Sequence, residues 1–177
     1  MTIVLTILLV LAGIVALLFI IALFIKKEYT IKREIVINKP KKVVFDYIKF
    51  LKNQEQFSKW VMTDPNMKKE LKGTDGTVGF TYAWDSENKQ AGKGEHEIVK
   101  MVDGELLDVE VRFERPFKST AKTPFKTIAV SENQTKVIWG MEGNSKYPMN
   151  LMNPIMDNLL GKDLEISLAT LKNILEN

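Results

Sequence analysis

The hydrophobic period of this chain changes near Gly143, and that change constrains its fold more than any other feature. Across residues 67–143 apolar and polar residues alternate, the period of strands with one buried face. Across 148–176 Leu151, Met152, Ile155, Met156, Leu159, Leu160, Leu164, Leu168, Leu171 and Leu175 recur at helical spacing. Lys162, Asp163, Glu165, Lys172 and Glu176 fall off that stripe, so one face of a long amphipathic helix must lie on something apolar. The preceding strands supply such a surface. Gly161 interrupts the stripe where it costs about 1 kcal/mol against alanine, which implies a close backbone approach or room for another group.

The strands are separated by short polar turns, so the sheet is expected to be antiparallel. Leu107, Val109, Val111 and Phe113 alternate with Asp108, Glu110 and Arg112. Val78, Phe80, Tyr82 and Trp84 are expected on one strand face, followed by a second run over 92–102. Thr123, Phe125, Thr127 and Ala129 share a face, and so do Val137, Trp139 and Met141 beyond the turn at Glu132-Asn133-Gln134. Pro124 within a strand calls for an edge or a bulge. Ahead of these runs, residues 28–37 alternate as a first strand, with Tyr29, Ile31, Arg33, Ile35 and Ile37 on one side. Asn38-Lys39-Pro40 starts a helix carrying Val43, Val44, Tyr47, Ile48 and Leu51. A shorter helix over 53–59 ends at Trp60. A strand, two short helices, a meander of about six strands and one long helix make an α+β domain over 28–177.

Residues 3–25 stand apart. They form an uncharged apolar run of roughly 23 residues, enough for a helix to cross a hydrocarbon core of about 30 Å. A secretory signal would carry a basic start and a small-residue cleavage site. The chain begins Met1-Thr2 and leaves the run through Phe24-Ile25-Lys26-Lys27, so an uncleaved transmembrane helix is the expectation. Lys26, Lys27, Lys32 and Arg33 follow it and nothing basic precedes it, which puts the domain on the cytoplasmic side of a single-pass membrane protein. The absence of cysteine excludes a disulfide framework and a thiolate zinc site. A net charge of +3 is too mild for a nucleic-acid partner; the juxtamembrane lysines suit anionic headgroups.

Ile35-Val36-Ile37-Asn38-Lys39-Pro40, Val44-Phe45 and Trp60 resemble the opening of the START-like helix-grip superfamily (SRPBCC), in its polyketide cyclase/dehydrase-like branch. The resemblance continues through Val78-Gly79-Phe80, Trp84, Gly92-Lys93-Gly94 and Arg115-Pro116-Phe117-Lys118-Ser119. It ends with Val137-Ile138-Trp139, Gly143, Gly161-Lys162-Asp163, Leu168 and Leu171-Lys172. It implies a sheet of about seven strands gripping the C-terminal helix over a hydrophobic cavity. It also implies a choice among lipid or small-molecule carriers, cyclase or hydratase enzymes and chaperone regulators.

His96 is the only histidine and the natural place to seek an acid or base at neutral pH; a polar residue at a cavity edge is the plainer alternative. Glu95 and Glu97 flank it on a strand and point away from it, so no metal site is expected. Gly92-Lys93-Gly94 lacks the rest of a dinucleotide fingerprint and reads as a strand or bulge feature; no cofactor is expected. Asp157 and Asp163 read as solvated helix charges, with pairing to lysines or a place at a cavity mouth as the alternatives. The candidate ligand contacts are apolar or aromatic: Trp60, Phe80, Tyr82, Trp84, Val111, Phe113, Phe125, Trp139, Met141, Tyr147, Met152, Met156 and Leu160. Tyr82, His96 and Tyr147 are the groups expected to orient a ligand. The expected ligand is a hydrophobic small molecule or lipid, met by the Met-rich first turns and Gly161 of the long helix, while Leu164, Leu168, Leu171 and Leu175 pack.

Overall fold

A computed structural model describes residues 2–177. Helix α1 (Thr2–Phe24) carries the apolar run; Ala22 is its one buried residue, and the rest of its surface is exposed. By length and composition this helix can cross a membrane. Strand β1 (Glu28–Ile37) follows directly, then α2 (Lys41–Ile48), a 3-10 turn (Leu51–Asn53), α3 (Gln54–Phe57) and α4 (Lys59–Met62). The expected single helix over 53–59 is therefore two short ones, with Trp60 inside the second. The break comes at Ser58, buried and extended, beside a capture by the long helix: Ser167 Oγ accepts the Lys59 backbone N–H at 2.9 Å.

The strands are β2 (Lys68–Lys72), β3 (Thr81–Asp85), β4 (Lys93–Val102), β5 (Leu106–Arg115), β6 (Ser119–Lys122), β7 (Phe125–Ser131) and β8 (Gln134–Asn144). Every pairing is antiparallel, in the order β1-β8-β6-β5-β4-β3-β2, with β7 also lying between β5 and β8. Strands β6 and β7 share one lane interrupted at Pro124, so eight strands occupy seven lanes. Pro124 sits in the interior of the sheet rather than at its edge. The lane stays bonded across the break because Thr123 donates its N–H to Val109 and Gly140 donates to the Pro124 carbonyl, at 2.7 and 2.9 Å. Charged, exposed β2 forms one edge, where lysines discourage pairing with another chain. Val78 falls in the loop before β3 and is exposed, off the face it was expected to share with Phe80, Tyr82 and Trp84.

A second 3-10 turn (Met149–Met152) leads into α5 (Asn153–Glu176), with Pro154 in its first turn, where a missing N–H is harmless. Leu164, Leu168 and Leu171 of α5 are fully buried against β1 and the short helices. Phe57, Phe125 and Trp139 join them, the last two rings stacked at 4.4 Å between centroids. The fold is α+β: a curved antiparallel sheet gripping a long C-terminal helix, as expected.

Candidate functional site

Arg33 lies on the inward side of β1, the position its alternation requires, and must meet α5. A side chain at Gly161 would occupy the space of its guanidinium. The glycine therefore accommodates an arginine of the protein itself, and the room expected for a ligand there is filled. Arg33 donates to Asp157 Oδ1 and Oδ2 at 3.0 and 3.1 Å and to Glu165 Oε1 at 2.6 Å. These hydrogen bonds raise the guanidinium pKa, and the bond from Arg33 lowers that of Asp157. Asp157 is thus paired with an arginine and not simply solvated. Asp163 is committed as well: it accepts from Lys59 Nζ at 2.6 Å and from the Trp60 indole N–H at 3.1 Å, fixing that indole against the core.

Above this junction α5 and the sheet do not close. A cavity of about 470 Å³ opens between them. Met156 and Leu160 of α5 form one wall, with Trp60 and Val61 of α4 beside them. The sheet side presents Trp84, His96, Val111, Phe113, Trp139 and Met141. Pro116 and Phe117 close part of one end together with Ala91 and Gln90, and Tyr29, Met67, Ser119 and Thr123 complete the lining. No carboxylate, lysine or arginine lines this space. A larger hollow of about 1640 Å³ adjoins it as a trough, sharing Tyr29, Trp84, Phe113, Phe117, Ser119 and Met156 with the cavity and lined further by charged side chains, including Lys68, Glu70, Lys93 and Arg112, and by Met149 and Met152.

Of the expected ligand contacts, Trp60, Trp84, His96, Val111, Phe113, Trp139, Met141, Met156 and Leu160 meet in the cavity. Phe80, Tyr82 and Phe125 instead lie in the closed core, and Tyr82 donates its hydroxyl hydrogen to Glu55. Met152 lines only the trough. Tyr147 faces α1, its ring 6.0 Å from that of Phe19 and its hydroxyl donating to the Phe19 carbonyl at 3.2 Å. The period-two pattern identified which side chains point inward; it held nothing to separate those that fill the interior from those that border a gap. Tyr29, Pro116, Phe117 and Ala91 escaped the sequence reading as contacts. The signal available for Tyr29 was Gly143, opposite it across the β1–β8 pair, whose missing side chain leaves space for the tyrosine ring.

His96 points into the cavity. Its ring lies 4.9 Å from Trp84 and 6.2 Å from Tyr82. Burial without a charged partner pushes the imidazole down to about 4, so it is neutral at physiological pH. Its neighbours Glu95 and Glu97 are on the other side of the strand, both bound by Arg112. The Trp84 indole is seated by a hydrogen bond to the Ala91 carbonyl at 2.9 Å, and Gly94 leaves the space beneath it. Gly94 also flanks a register shift in β4, so the Gly92-Lys93-Gly94 run is a strand irregularity, as expected. Chemically, the site can remove an apolar body from water and offer it aromatic faces with a few neutral polar groups.

No protein-family model and no curated protein matches the chain. Solved structures do match in shape. Norcoclaurine synthase from Thalictrum flavum, in complex with dopamine and hydroxybenzaldehyde, has a TM-score of 0.64 at 10% identity, covering 84% of this chain and 86% of its own. Ara h 8.0201 has a TM-score of 0.59 at 16% identity, covering 85% and 99%. Aha1 from Colwellia psychrerythraea, solved as a dimer, has a TM-score of 0.57 at 16% identity, covering 83% and 96%. These likenesses cover 83–85% of the chain and establish that it shares their helix-grip fold.

Proposed function

We infer that this protein is a single-pass membrane protein whose helix-grip domain binds a hydrophobic small molecule or lipid beside the bilayer, without catalysing its conversion. The observation that carries this reading is the cavity of about 470 Å³ with no charged side chain in its wall. That size falls within the range of roughly 300–1,000 Å³ common for small-molecule sites. An ionic ligand would lose its hydration there with nothing to replace it, so an uncharged apolar body is favoured. Catalysis is the weaker reading because His96 faces aromatic rings and no charged group lines the space beside it. Helix α1 supplies the anchor, and Lys26 and Lys27 at its end support a cytoplasmic domain. Arg33 and Lys32 support that orientation less than their position implies, since both pair with carboxylates of the domain.

The test is native mass spectrometry of the domain lacking residues 1–27 after exposure to a lipid extract. A bound apolar species is expected, together with its loss in Leu160→Trp, where the larger side chain occupies the cavity. Repeated absence of any bound species, with an interior found filled by side chains in an experimental structure, would overturn the reading.

A further inference from the structure

The strand ends at one pole of the sheet converge on α1. Glu28, the first residue of β1, pairs with Asn144 at the end of β8. Asp85 pairs with Lys93, and Lys93 with Arg115, while Ser119 opens β6 opposite Phe113. The turns 86–92, 116–118 and 145–148 therefore share the pole from which the apolar helix leaves, and α5 starts there too. At the other pole α5 ends, with Glu176 accepting the Asn38 N–H.

The connection is clamped. The last carbonyls of a helix have no partners within it. Here Asn150, fully buried, donates its amide to the carbonyls of Ala22 and Ile25 at 2.6 and 2.8 Å. Asn153 donates to those of Lys26 and Lys27 at 2.9 and 3.0 Å, and the Ser145 N–H also reaches Lys27 at 2.8 Å. The domain is thus held in one attitude to the helix axis, with this pole toward the membrane that α1 would cross.

The same pole is apolar and basic. Phe117 is 67% exposed, Met149 48% and Met152 44%, all outside the core. Lys26, Lys27, Lys118 and Lys146 are exposed around them and make no ion pair among the described residues, against the acidic Glu28 and Glu87. Phe117 and Pro116 also border the cavity. Apolar side chains ringed by unpaired lysines match the boundary between acyl chains and anionic headgroups.

We propose that this pole is an interfacial membrane-docking surface, with Phe117, Met149 and Met152 immersed in the leaflet next to α1, so that the end of the cavity bordered by Pro116 and Phe117 faces lipid. This rests on the anchored, ligand-binding reading above and adds the route: ligand passes between leaflet and cavity without crossing water. The occupant of the surface is the bilayer.

The chain has no cysteine, so single reporters can be placed cleanly. The full chain, reconstituted in vesicles of phosphatidylcholine and phosphatidylglycerol, would carry a fluorophore at F117C, at M152C, or at the opposite pole at E132C. Lipids spin-labelled near the headgroup should quench the first two at least about twofold and leave the third unchanged, as an interfacial depth requires. Unquenched labels at 117 and 152 on a chain that resists alkaline extraction would overturn this inference alone, and energy transfer between two labelled copies would then assign the face to a second copy. Release by alkaline extraction would overturn the membrane half of the function with it. Quenched labels on a protein that never retains a ligand would leave this surface standing and the binding reading refuted.

Discussion

His96 is the one imidazole of the chain, and its environment makes it a stability sensor whether or not it meets a ligand. Burial holds its folded pKa near 4, below the roughly 6.5 of an unfolded chain. Between those values the unfolded state binds more protons, so stability from this residue is complete above about pH 6.5 and falls as pH drops toward 4, by at most roughly 1.4 kcal/mol per unit. Urea unfolding at pH 7 and pH 4.5 should show that fall, and His96→Gln should flatten it; an unchanged slope would place the imidazole in water. Alternation on its strand marked His96 as inward. Its isolation from carboxylates was legible too, because Glu95 and Glu97 must face the other way. The depressed pKa was not, since it depends on the packing of Trp84 and Tyr82 of the neighbouring strand against the ring.

At the scale of elements, α5 and β1 are fitted to one another through Gly161 and Arg33. Glycine in a helix costs about 1 kcal/mol against alanine, a penalty retained here because the guanidinium lies over it. Gly161→Ala should recover that propensity only once the arginine is shortened: in an Arg33→Ala background it should stabilise by about 1 kcal/mol, and alone it should gain less or destabilise. Equal effects in both backgrounds, measured by denaturant unfolding, would refute the coupling. The helix and the packing of Leu164, Leu168 and Leu171 follow from spacing alone; its start at Asn153, after a separate 3-10 turn, does not. The outward turn of Met152, Ile155 and Leu159 does not, since an apolar stripe shows which residues avoid water and not how wide a partner the sheet provides. Likewise Pro124 announced an irregularity, and only the pairing of both halves of its lane with β5 and β8 showed it to be internal.

At the scale of the whole molecule, the attitude of the domain to α1 depends on two asparagines. Asn153→Ala removes two hydrogen bonds at Lys26 and Lys27, and Asn150→Ala removes two at Ala22 and Ile25. Each should ease local opening by about 1–3 kcal/mol and raise tryptic cleavage after Lys26 and Lys27 roughly fivefold or more in detergent-solubilised protein, with the domain's own unfolding little changed. Cleavage at the parental rate in both variants would show the link to be open already.

The sequence by itself determined the apolar helix, the broad order of strands and helices, the antiparallel pairing and most inward faces, Val78 excepted, because each rests on local period and turn chemistry. Tertiary structure alone decided that Gly161 serves Arg33, that Tyr147 and the asparagines serve α1, and which of the inward side chains, Trp84, His96 and Met156 among them, border the cavity. Those outcomes depend on how closely two surfaces approach, and distance across a fold is not written in the spacing of residues along a chain.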